Sequence, residues 1–158
     1  MPTKGRAKRG AGQGATAVER LRRLCLALPG AEERASHGAP AWFAGKGRSF
    51  AALDDHHHGA EHLSVWLPAP LGVQEALVAQ APHRYFRPPY VGGRGWVGAI
   101  LDGAPDWAAI AGLVREAYLL VAGARLRRRL LEPQSSGVTG PARAQATRRR
   151  RGSRLGTR

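Results

Sequence analysis

A chain of 158 residues with a single cysteine and no apolar run near the ~20 residues of a membrane span excludes an intramolecular disulfide, a cysteine-based zinc site and a transmembrane helix. Its 25 basic and 11 acidic side chains are unevenly placed. Residues 1–15 carry Lys4, Arg6, Lys8 and Arg9 with no acid, residues 123–158 carry eleven arginines against Glu132, and residues 16–122 carry ten basic and ten acidic side chains. A neutral middle with basic ends points to sequence-independent attraction to polyanions through those ends.

Residues 1–15 have almost nothing to bury and are expected to be a disordered basic tail. The positive N-terminus has no apolar stretch behind it, unlike a secretory signal, so a reducing cytoplasm is the expected compartment. Thr16 with Glu19 three residues on makes a capping-box pattern. From there Val18, Leu21, Leu24, Cys25 and Leu28 recur at helical spacing, and Pro29-Gly30 stops the helix.

Short segments bounded by turn residues follow. Residues 32–37 have weak strand character. Residues 41–44 and 48–53, joined through Gly45-Lys46-Gly47, read as a β-hairpin. Residues 54–60 form a polar connection. Residues 62–67 alternate Leu63, Val65 and Leu67 against Ser64 and Trp66, a half-buried strand. Pro68 and Pro70 end it, and residues 71–80 form a short helix with Val73, Ala76, Leu77 and Gln80 on one side. Tyr85 and Phe86 lie in an extended stretch. Tyr90 and Val91 lead through Gly92-Gly93-Arg94-Gly95 into an apolar strand, residues 96–101, a second expected hairpin. Asp106 caps a last helix through Val121, which buries Trp107, Ile110, Val114, Ala117, Tyr118 and Val121. Residues 123–131 extend this helix as a basic turn or two, and the rest of this arginine-rich tail to residue 158, which holds no core pattern, is expected to be disordered.

This order, helix, three or four strands, helix, two strands, helix, implies an α+β fold of two layers, an antiparallel sheet with helices on one face. Residues 16–122 are enough to build an independent core, and a monomer is expected.

Chemistry-bearing constellations are weak. His56-His57-His58 with Asp54, Asp55, Glu61 and His62 offers zinc or nickel ligands, but in a strand connection these side chains diverge, so a solvated loop is expected and no metal. Ser36-His37 lacks an oxyanion-hole motif, and no glycine spacing matches a nucleotide-binding loop, so no catalytic residue and no cofactor is expected. Trp42, Trp66, Trp96 and Trp107 could stack on bases, but their apolar neighbours favour packing for at least three. The glycine-bearing tips Gly45-Lys46-Gly47-Arg48 and Gly92-Gly93-Arg94-Gly95 place cations on close-approaching backbone suited to phosphates. Tight turns alone would also call for those glycines.

The segment from Leu24 to Leu126 resembles the MmcQ/YjbR family. The resemblance is carried by Leu26-Ala27-Leu28-Pro29-Gly30-Ala31-Glu32-Glu33, Gly95-Trp96-Val97, the Leu101-Asp102 and Asp106-Trp107 steps, and Ala117-Tyr118-Leu119-Leu120-Val121-Ala122. It implies a CyaY-like (frataxin-like) fold and non-enzymatic DNA binding through a "double wing" of β-hairpins. Matched onto this chain, the wing residues are Lys46, Arg48 and Arg94, with Arg84 and Arg87 beside them. The arginine-rich C-terminal extension departs from the family pattern and adds phosphate contacts from Arg127, Arg128, Arg129, Arg148, Arg149, Arg150 and Arg151. DNA is the expected partner, with RNA as another polyanion it could take. The alternative reading is a protein-interaction or small-ligand domain whose basic tails bind without specificity.

Overall fold

The computed structural model describes residues 10–56 and 61–132, with side chains from Thr16 onward. Expectations for residues 1–9, 57–60 and 133–158 lie outside the described residues.

Helix α1 (Gly10–Leu26) starts six residues before Thr16, so Thr16 lies within the helix rather than capping it. Leu21 and Cys25 are fully buried and Val18, Leu24 and Leu28 pack beside them. Burial pushes the Cys25 thiol far above its ordinary value, with the nearby Glu33 charge adding to it. Gly30, at φ 60°, turns the chain into β1 (Ala31–Ser36).

The first tight hairpin is one the sequence reading lacks. β1 pairs antiparallel with β2 (Ala39–Ala44), with Ser36 opposite Ala39, leaving His37-Gly38 as a two-residue loop. Both loop residues have positive φ, 51° and 83°, as the strand twist requires of such a turn. β2 then pairs with β3 (Ser49–Asp55) across Gly45–Arg48. Phe43 opposes Ser49 while Trp42 opposes Ala51, so Phe50 is an inserted residue. β3 runs on to Asp55, which makes Asp54 a strand residue and not part of a polar connection.

β4 (Leu63–Pro68), β5 (Tyr85–Phe86) and β6 (Trp96–Ile100) complete a six-stranded antiparallel sheet in the order β1-β2-β3-β4-β6-β5. The expected second hairpin takes a different form. β6 pairs with β4 on one side and β5 on the other, and the residues between β5 and β6 include a 3-10 turn at Gly92–Arg94. Pro88-Pro89 remove two backbone donors and Tyr90 sits at φ 64°, so residues 90–91 do not form a ladder. Phe86 lies across Gly98, whose absent Cβ would meet the ring at 2.4 Å.

Helix α2 (Val73–Gln80) buries Gln74, whereas Ala76 and Gln80 are exposed. The correction follows from the turn it faces: the Gln74 amide donates to the carbonyl of Gly92 at 2.8 Å and to that of Trp96. Helix α3 (Trp107–Val121) begins as expected, with Asp106 Oδ1 accepting from the Ala109 amide at 3.1 Å. It does not continue into the basic segment. Ala122 and Gly123 are extended, and a separate helix α4 (Ala124–Leu131) follows. Arg127 Nε donates to the Ala122 carbonyl at 2.8 Å, satisfying one of the acceptors left by the break.

Alternation divides the sheet. Leu63, Val65 and Leu67 join Leu21, Cys25, Val114 and Tyr118 in one core, with Trp42 and Phe50 filling it. Phe50 meets the Tyr118 ring edge-on, centroids 5.4 Å apart. The Tyr118 hydroxyl donates to the Pro29 carbonyl at 2.7 Å, tying α3 to the end of α1. Glu33 is clamped by Arg22, at 2.7 and 3.0 Å, and accepts from Trp42 Nε1 at 3.1 Å. Ser64, Trp66 and Pro68 lie on the other face. Among the described residues no helix is long and apolar enough to cross a membrane.

Candidate nucleic-acid interface

Antiparallel register brings two loops to one end of the sheet. β3 leaves the Gly45–Arg48 tip level with the Pro68 end of β4, and Pro68 pairs with Trp96, next to Gly95. Lys46, Arg48 and Arg94 are exposed at this end, and Arg48 and Arg94 line one cavity. Arg87 folds over the 3-10 turn, its side chain filling the space a Cβ on Gly92 would need, and so lies next to Arg94.

Arg84 does not join them. Its carbonyl accepts from Ile100, at the opposite end of β6, and its guanidinium lies 3.5 Å from Asp106. Four of the five domain cations named from the sequence therefore belong to the two loops at one end, and the fifth is paired elsewhere.

The arginine-rich extension also reaches this end. Leu126 of α4 packs where Gly30 and Gly45 have no side chains: a Cβ on them would lie 3.0 and 3.6 Å from its methyl groups. Both glycines are at φ 60°, and the Gly45 amide donates to the Gly30 carbonyl at 2.9 Å. The absence of two side chains thus makes room for one leucine, with Leu130 packing alongside. Arg125, Arg127, Arg128 and Arg129 are exposed on a helix docked beside the Lys46 hairpin. Arg148, Arg149, Arg150 and Arg151 lie outside the described residues.

Sequence reasoning missed Arg34. It stacks 3.8 Å above the Phe43 ring and donates to the Gly45 carbonyl at 2.8 Å, buttressing the tip. The signal was available in strand alternation, because Arg34 pairs with Ala41 and shares its face with Phe43. Trp42 is core, Trp66 is buried with Nε1 donating to Ser64 Oγ, and Trp107 lies under Arg20. Trp96 is half-buried and lines the cavity.

Of the histidine run, His56 is described and exposed, and His57 and His58 lie outside the described residues. Among the described residues no three His, Cys, Asp or Glu side chains are gathered as a metal site. Ser36 and His37 line the cavity at the β1–β2 turn.

A six-stranded antiparallel sheet, covered by helices on one face and basic at one end, defines the class: a small α+β domain with a cationic edge. The YjbR family model matches residues 26–120, and the chain belongs to that family. The crystal structure of Deinococcus radiodurans protein DR2400, a DUF419 domain, is similar with a TM-score of 0.58 and 24% identity, over 77% of this chain and 92% of that one. That likeness concerns the fold. No curated protein matches. Helix α4 lies beyond the segment matched by the family model.

Proposed function

We propose that this protein is a non-enzymatic DNA-binding protein that holds phosphates with the basic end of its sheet and with its arginine-rich extension. The observation that supports this reading is the packing of Leu126 against Gly30 and Gly45, which places the α4 arginines beside the Lys46–Arg48 hairpin. Cations contributed by a docked helix and a tight turn are pre-positioned, whereas the same charges on a free tail would have to be ordered on binding. Arginine's planar fork suits bidentate phosphate contact, and glycines at the tip let backbone approach. Such contacts position a protein on DNA without reading sequence, so affinity rather than specificity is expected from this surface.

The test is a salt titration of duplex affinity for the full chain and for a variant with Lys46→Ala, Arg48→Ala and Arg127, Arg128 and Arg129→Gln. If all five contact phosphates, the slope of log K against log salt should flatten by about 4.5 in the variant, at roughly 0.9 per phosphate. A full chain that fails to bind duplex at low salt, or a variant with an unchanged slope, overturns the proposal.

A further inference from the structure

A cavity lined by Asp54, Trp66 and Trp96, which also reaches Leu53 and the Leu120–Val121 end of α3, ends on a group that phosphate binding does not use. Asp54 is 3% exposed, lines this cavity, and its Oδ2 has no hydrogen-bond partner among the described residues. A carboxylate oxygen taken out of water with no donor facing it is costly, and such a group calls for a donor from elsewhere. The cavity measures about 810 Å³, within the roughly 300–1,000 Å³ of small-molecule sites.

Its two ends differ in charge. By register Ser36 and Ala39 sit level with Asp54, while Arg48 and Arg94 sit at the far end. Arg48, just before β3, and Asp54 are six residues apart, about 20 Å of extended chain, which the long arginine side chain shortens. Between the ends lie aromatic walls, Trp66 held by its bond to Ser64, and Trp96. A simple amine would satisfy Asp54 and leave the arginines unused, and a simple anion would do the reverse. The combination asks for a planar, donor-bearing head joined through a spacer to an anion.

We propose that this cavity binds a guanine nucleotide, with Asp54 accepting from the base, the ring against Trp66 and Trp96, and the phosphate toward Arg48 and Arg94. A carboxylate attracts donors and repels lone pairs. Adenine and cytosine set a ring-nitrogen acceptor beside the amino group, and thymine flanks its N–H with two carbonyls. Guanine alone sets N1–H and N2–H₂ side by side, and Ser36 supplies a hydroxyl at the same end for its O6. The nucleotide comes either free or as an unpaired guanosine in a strand, which share this chemistry. The site shares Arg48 and Arg94 with the phosphate-binding end, but Asp54 belongs to it alone, so it stands or falls separately from duplex binding.

The test uses the full chain. Calorimetry with GMP, AMP and CMP forms one arm, and anisotropy with an oligo-dT strand carrying one central dG, against all-dT, forms the other. GMP favoured over AMP and CMP supports the free nucleotide, and a preference for the dG strand alone supports the strand-borne one. Asp54→Asn should lower guanine affinity about tenfold or more while duplex affinity stays unchanged. Arg94→Gln, as a second variant, should weaken GMP and leave guanosine unaffected. Failure of guanine preference in both arms overturns the proposal, as does guanine binding that survives Asp54→Asn or GMP binding that Arg94→Gln leaves intact.

Discussion

Asp54 also makes a stability prediction that needs no ligand. Its side chain is 3% exposed and Oδ2 faces no donor among the described residues. A buried polar atom without a partner costs about 1–3 kcal/mol, and a charged one more. Asp54→Asn keeps the shape but exchanges one unmet oxygen for an amide donor, so the folded state should change by no more than about 1 kcal/mol. Asp54→Leu removes every polar atom at similar size and should be at least as stable as the parent. For a domain of this size 1 kcal/mol moves Tm by about 4 °C or somewhat more. Urea melts at pH 7, with m unchanged, measure the difference directly. If both variants lose more than about 1 kcal/mol, Asp54 is holding the fold together and the argument from an unmet acceptor fails. Stability gained as guanine affinity is lost would be the trade-off typical of a binding residue.

Two further predictions concern the core. Glu33 sits below the usual carboxylate range, chiefly because Arg22 donates to it, with the Arg22 charge and the Trp42 N–H helping and burial opposing. Its folded value is depressed, so its contribution is complete above the unfolded value of about 4.3 and is lost as pH falls through the folded one. Glu33→Gln should therefore cost about 1–2 kcal/mol at pH 7, with a gap that narrows below about pH 4, and a gap that stays constant in acid melts would refute this. Tyr118→Phe removes the 2.7 Å bond to the Pro29 carbonyl and should cost about 1 kcal/mol, read as a lower Tm; an unchanged melt would show that the bond contributes nothing.

Much of the fold was legible because its signals are local. Apolar alternation in β4, the Asp106 cap and the Pro29-Gly30 stop each act within a few residues, and each gave an element in the right place. The second hairpin was misread because glycines mark a turn without saying whether the flanking residues can form a ladder. Pro88-Pro89 and the positive φ of Tyr90 decide that, and β5 further back forms the ladder with β6 instead. His37-Gly38 was missed because histidine is not the usual first residue of so tight a turn. For the candidate sites, loop cations were visible but their grouping was not. Register decides that Arg94 meets the Arg48 end while Arg84 is carried to the other. Asp54 was hidden by its neighbours: beside Asp55 and three histidines it reads as solvated, and only the length of β3 turns it inward.

The leucine resting on Gly30 and Gly45 has a consequence for how such a domain changes over time. The plug is one side chain of α4, and the socket is two residues whose glycines the left-handed backbone already favours. An appended helix of almost any charge could dock there through a single apolar residue, without repacking the sheet. The polarity of that edge is therefore adjustable from outside the domain, while the core beneath it stays the same.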